Sequence, residues 1–222
     1  MSIPDLTYAA QFEVLSVWIG GLQPGELASP SVLPGWTVAD LVSHLAGTGA
    51  TIAALRVTDD DVEPMTVADY VVNYASSAEN IGRLARDTTV AAGPDLLARF
   101  ETAHAQAERT LDEIGSVDRI VLSRRGPILL SDFMDTRLIE LVVHTGDLAR
   151  SLPGRTSPTV LPSAERRVVA VLRELLTEMA NDPVEAVAAA SSLDPAEFIE
   201  LCAGRRRPED LAPALSEALP LF

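Results

Sequence analysis

Along most of the chain apolar residues recur at intervals of three and four, the period of helices with one face turned inward. Residues 5–19 carry Leu6, Ala9, Ala10, Phe12, Val17 and Trp18 at mostly helical spacing, and Gly20-Gly21 stop the pattern. A second start signal is more complete: Thr37 can cap, Asp40 can close a capping box, and Trp36 can staple onto Leu41. The stripe Val38, Leu41, Val42, Leu45 and Ile52 extends that helix to about Thr58, where Asp59, Asp60 and Asp61 begin a solvated loop. Thr66 with Asp69 caps a helix from Val67 to about Arg86. Gly93-Pro94 opens another from Asp95 to Ile114, closed by Gly115. Ile120-Val121-Leu122 and Ile128-Leu129-Leu130 flank Arg124-Arg125-Gly126-Pro127 as a hairpin or an extended crossing. Ser131 or Asp132 then caps a helix reaching Ser151, and the stretch from Leu152 to Pro158 breaks it.

Beyond that break, Ser163 to Ala180 reads as a helix, and Asp194-Pro195-Ala196-Glu197 starts one that ends at Gly204. The pattern predicts an all-α bundle over residues 1–151, with a linker and a short helical C-terminal extension over 152–222. The extension is too small for a confident core of its own and should pack on the bundle.

Composition narrows the function. Of 222 residues, 47% are hydrophobic, yet no apolar run is long enough to span a membrane. The first residues, MSIPDLTYAAQFEVL, lack the basic start and apolar stretch of a secretory signal, so a cytoplasmic protein is expected. A net charge of −15 argues against nucleic acid as a partner, the one basic cluster being Arg205-Arg206-Arg207. Cys202 is the single cysteine, so it makes no internal disulfide and no thiolate metal site alone. All 17 basic residues are arginine, a coding bias of GC-rich genomes.

Arg137, Glu140, His144 and Asp147 follow one another at steps of three, four and three, and so lie on one stripe of their helix. The rest of that helix is apolar, from Phe133 and Met134 to Val143 and Leu148. Buried unpaired charge costs several kcal/mol, and the escapes are ion pairing, neutralisation or a metal. Glu140 and His144 stand one turn apart, about 5–6 Å at Cβ, close enough to reach one ion. His44, at the edge of the second helix's apolar stripe, is the natural third ligand among the 3 histidines. Two imidazoles and a carboxylate suit zinc foremost, with nickel, manganese or iron(II) compatible, and leave coordination positions open. On spacing alone, a salt-bridge ladder on a solvated face remains the alternative, with His44 an ordinary core or surface residue.

Other residues read as structural. His104, between Glu101 and Glu108, suits surface or packing, and Trp36 is a staple before it is a substrate platform. Cys202, with no histidine near it in sequence, suits a buried small hydrophobe. Asp40 is a capping partner, or else an orienter of His44. Arg137 is a candidate for binding an acidic substrate.

The segments Leu33-Pro34-Gly35-Trp36-Thr37-Val38-Ala39-Asp40-Leu41-Val42-Ser43-His44-Leu45-Ala46 and Arg137-Leu138-Ile139-Glu140-Leu141-Val142-Val143-His144-Thr145-Gly146-Asp147-Leu148 together resemble the mycothiol-dependent maleylpyruvate isomerase N-terminal family. The resemblance spans roughly residues 5–151. It implies a DinB-like four-helix bundle, a divalent metal on His44, Glu140 and His144, and mycothiol as a thiol cosubstrate. Against the family's fuller members the C-terminal extension reads as short. The expected function is a metal- and thiol-dependent S-transferase or isomerase acting on a small electrophile. The alternatives are a metal-dependent hydrolase on the same ligands and a non-catalytic metal- or partner-binding domain.

Overall fold

The structure is a computed structural model that describes residues 3–58, 61–72, 74–207 and 210–222. Four long helices make the bundle: α1 (Ile3–Gly20), α3 (Val38–Ala53), α6 (Leu96–Ile114) and α7 (Leu130–Ser151), with the single turn α2 (Pro24–Leu27) between the first two. They close a ring in which α1 packs on α7, α7 on α3, α3 on α6 and α6 on α1. From α1, Tyr8, Phe12, Leu15 and Ile19 point inward at steps of four, three and four, Phe12 stacking on Phe100 of α6, into one core shared with Leu41 and Leu45 of α3 and Phe133 and Leu138 of α7. The helices α3 and α6 cross closely at Gly49, where a Cβ would stand 3.1 Å from the Ala103 backbone carbonyl.

The capping box of α3 forms as its sequence predicts: Thr37 Oγ1 accepts from the Asp40 amide, and Asp40 Oδ2 accepts from the Thr37 amide at 2.9 Å. The far end differs from the expected helix to Thr58. α3 stops at Ala53, and Arg56–Val57 forms β1, which pairs antiparallel with β2 (Ile120–Ser123). Sheet hydrogen bonds, including Thr58 N–H to the Ile120 carbonyl at 3.2 Å, take up the backbone that another helical turn would have used. β2 in turn pairs with β3 (Gly126–Leu129), so the hairpin alternative holds and a three-stranded sheet joins the helices. The acidic run that was expected to open a loop here includes residues 59 and 60, which lie outside the described residues.

The helix expected from Val67 to Arg86 is two helices, α4 (Val67–Val71) and α5 (Tyr74–Ala92). Tyr70 and Val71 are buried while Val72, the C-cap of α4, is exposed. α5 packs outside the ring against α3. α7 starts at Leu130 rather than being capped by Ser131 or Asp132. The capping oxygens come from the loop between α6 and β2: Asp118 accepts from the Ser131 amide at 3.0 Å and from its hydroxyl at 2.8 Å.

The linker is fastened to α1. Fully buried Gln11 donates from Nε2 to the Thr159 carbonyl at 3.0 Å and accepts from the Leu161 amide at 2.8 Å, satisfying both ends of its amide. Trp18 Nε1 donates to the Thr156 carbonyl. Beyond the linker, α8 (Pro162–Met179) packs on α7 and α1, with Arg167 paired to buried Asp135 through two hydrogen bonds. α9 (Pro183–Ala190) and α10 (Pro195–Cys202) pack on α8, and α11 (Pro213–Ala218) on α9. Asp194 caps α10 as expected, accepting from the Ala196 and Glu197 amides. Among the described residues no helix is long and apolar enough to cross a membrane.

Candidate metal centre

The ring brings the middle of α3 against the second half of α7, and the three residues singled out by spacing meet there. His44 Nε2 stands 3.0 Å from Glu140 Oε2, and His144 Nε2 stands 3.2 Å from the same oxygen. One ligand atom from each of the three lies within 4.8 Å of the other two, and the imidazoles meet nearly edge-on with centroids 4.7 Å apart. The stripe on α7 is not a solvated ladder: Arg137, His144 and Asp147 are all buried, Asp147 completely. His44 and Glu140 keep a sliver of exposure, so the cluster reaches the surface on one side.

Behind His144 stands Asp147. A carboxylate only accepts, so the Nδ1–H of His144 donates to Asp147 Oδ2 at 2.8 Å. A neutral His144 would then turn its Nε2 lone pair towards an oxygen of Glu140, two acceptors facing each other. A proton on Nε2 or a cation between the groups resolves the clash. Burial disfavours charge on His144, but the hydrogen bonds it donates to Asp147 and Glu140 outweigh it and raise its pKa above the usual histidine value. Burial dominates at His44 and lowers its pKa against the pull of Glu140. Glu140 is buried as well, yet hydrogen bonds from His144 and His44 hold its carboxyl well below the usual range. An anionic carboxylate, two imidazole nitrogens aimed at it and an outer carboxylate fixing one ring form a donor set that fits a divalent ion.

Asp147 is itself gripped. Arg150, one turn on, donates to Oδ1 at 2.6 Å, and Arg205, from the loop after α10, reaches both oxygens at 3.1–3.3 Å. Burial pushes the Asp147 carboxyl up, but the hydrogen bond and charge of His144, followed by the charge and hydrogen bond of Arg205, hold it far below the usual range. Spacing placed Asp147 on the stripe; its grip by Arg205 had no sequence signal beyond a basic run in an acidic chain.

Asp40 is occupied by the capping box of α3, so the orienting carboxylate of the centre is Asp147 and not Asp40. Trp36 does more than open α3: its indole meets His44 edge-on at 5.6 Å and lies over Gly82 of α5, where a Cβ would sit 3.3 Å from Nε1. Arg137 lies with its guanidinium 5.1 Å from the Phe133 ring centre and 5.7 Å from that of Tyr70, and Nε donates to Thr136. His104 stands apart from the centre, stacked on Phe12 at 3.6 Å between ring centres. Cys202 is fully buried, and desolvation pushes its thiol pKa up, which removes it as a nucleophile.

Residues 8–149 match the family described as the Mycothiol maleylpyruvate isomerase N-terminal domain. The chain belongs to this family. The match contains all three candidate ligands and Asp147, and it ends before Arg150 and Arg205. The crystal structure of the mycothiol-dependent maleylpyruvate isomerase shares the fold, with a TM-score of 0.60 at 14% identity, over 96% of this chain and 89% of that one. The similarity covers the C-terminal extension as well as the bundle. No curated protein sequence matches the chain.

Proposed function

We propose that this member of the maleylpyruvate isomerase N-terminal family is a mycothiol-using isomerase or S-transferase whose divalent metal, zinc foremost, is held by His44, Glu140 and His144. The observation that carries the reading is the convergence of two imidazole nitrogens on one carboxylate oxygen, with Asp147 fixing the tautomer of His144. Bound there, a divalent ion keeps about one unit of positive charge after Glu140, which favours the thiolate form of an incoming small-molecule thiol.

The chain's own residues supply the rest. His44 and His144 present neutral nitrogens, and Asp147 keeps the second ring from turning. Trp36 flanks the site, its indole edge-on to His44. Arg137, on the stripe of Glu140 and His144, carries a positive charge that is felt at His44 and would hold an acidic group of the acceptor. The thiolate attacks an activated alkene or a carbon bearing a leaving group. After addition, rotation about the former double bond and expulsion of the thiolate re-form the alkene and complete an isomerisation; protonation of the adduct's carbanion, or departure of the leaving group with its bonding pair, leaves the new S–C bond and completes a transfer.

Metal analysis of the purified protein, joined to a conjugation screen with mycothiol, bacillithiol and glutathione, tests the reading. About one metal per chain and turnover that requires mycothiol support it. A stoichiometric metal with turnover in the absence of any thiol replaces it with a hydrolase.

A further inference from the structure

Buried Asp147 is an anion with no solvent exposure, three residues after one candidate ligand and in contact with it. A carboxylate in that position holds an imidazole only if its own charge and orientation are held. Arg150 belongs to the same helix and is half drawn away, since its other nitrogen pairs with Glu200 of α10. Arg205 spans 58 residues to reach both Asp147 oxygens, Nε and one terminal nitrogen donating together. Its loop is built to deliver it: Gly204 adopts φ +65°, the Arg205 amide donates to the Glu200 carbonyl at 2.8 Å, and its remaining terminal nitrogen donates to the Ala203 carbonyl at 2.7 Å.

We propose that Arg205 is a positioning residue of the metal centre, acting through Asp147 to hold His144 with Nε2 turned towards Glu140 and His44. The C-terminal extension then completes a site whose ligands all lie in the bundle. A planar fork on two carboxylate oxygens fixes the plane of the carboxylate as well as its charge, which a single contact does not do. This inference rests on the metal reading above. Partners in this outer position characteristically change metal affinity by about 10- to 100-fold when removed.

Cobalt titration of the full metal-free chain, followed by its absorption spectrum, tests the proposal. Asp147→Asn should weaken binding about 10- to 100-fold and Arg205→Ala about tenfold. The double variant should bind no more weakly than Asp147→Asn alone, because Arg205 has no route to the ion except through Asp147. Arg206→Ala is the control for general loosening of the extension: Arg206 pairs with Glu197 and does not touch Asp147, so cobalt affinity should stay at the wild-type value. The proposal is overturned if Arg205→Ala binds cobalt as wild type does, if the two losses simply add, or if Arg206→Ala weakens binding equally. Failure of the wild-type chain to bind cobalt would sink the metal reading itself, a result distinct from wild-type binding that ignores Arg205.

Discussion

Two helices of the bundle each carry a histidine and a glutamate one turn apart, and they come to opposite ends. On α7, Glu140 and His144 meet His44 from α3, and Asp147 holds the far side of the ring. On α6, His104 reaches Glu108 at 3.4 Å, but Glu108 is half exposed and the imidazole is spent on packing, stacked on Phe12. The Nδ1 of His104, where His144 has its carboxylate, is buried with no hydrogen-bond partner among the described residues. The same spacing yields a candidate metal centre in one place and a core residue in the other. The distinction lies in a donor arriving from a second helix and a buried acceptor behind the ring, neither of which the spacing encodes.

The largest expected effect separates the two pairs outright. His44→Ala and His144→Ala should each abolish stoichiometric metal binding, since a two-point site remains, whereas His104→Ala should keep the metal. Native mass spectrometry reads the stoichiometry, and unchanged metal in both ligand variants would falsify the assignment.

The packing role of the α6 pair predicts a cost in stability instead. Phe12 is buried against both His104 and Phe100, with ring centres 3.6 and 4.6 Å away, so Phe12→Ala should lose about 3–5 kcal/mol by chemical denaturation. Metal stoichiometry in the refolded variant should be that of the wild type. A metal-free variant that is otherwise folded would mean the two regions are coupled and the comparison is wrong.

Gly49 sharpens this further, because its missing Cβ lets α3 approach Ala103 and the His104 amide. Backbone atoms cannot yield as a side chain can, so Gly49→Ala should cost about 1–3 kcal/mol. A neutral or stabilising result would show that the crossing has slack.

The smallest effect is one of pH, and its sign differs between the two histidines. Burial lowers the pKa of His104, so the folded state binds its proton less well than the unfolded state. Its contribution to stability is whole above the unfolded value of about 6.5 and falls as the pH drops below it. In metal-free protein the pKa of His144 is raised, so its contribution is whole below about 6.5 and is lost as the pH climbs through the raised value. Thermal midpoints of metal-free His104→Gln and His144→Gln between pH 5 and 8, each subtracted from wild type, should slope in opposite directions. Parallel slopes would mean that the two rings sit in like environments.

Much of this was legible in the chain because it is local. A capping box is settled within four residues, and both the Thr37–Asp40 and Thr66–Asp69 boxes form. The stripe of Glu140, His144 and Asp147 follows from helical period alone. Errors arose where a distant segment competed for the backbone: Ile120–Ser123 claimed Arg56–Val57 from the end of α3, and Asp118 took the capping of α7 from Ser131. Local signals for α3 and α7 were sound, but hydrogen bonds from elsewhere decided where the elements ended.

By itself the sequence determined a helical bundle, the family and the three candidate ligands, because helical period and short motifs are properties of neighbouring residues. Only the tertiary structure decided that Asp147 rather than Asp40 would stand behind an imidazole, and that the Nδ1 of His104 would have no such carboxylate among the described residues. It also decided that an arginine 58 residues along the chain would hold that aspartate. Such contacts depend on how whole helices cross, and crossing is fixed by the volume of the core they jointly bury, which no short stretch of chain contains.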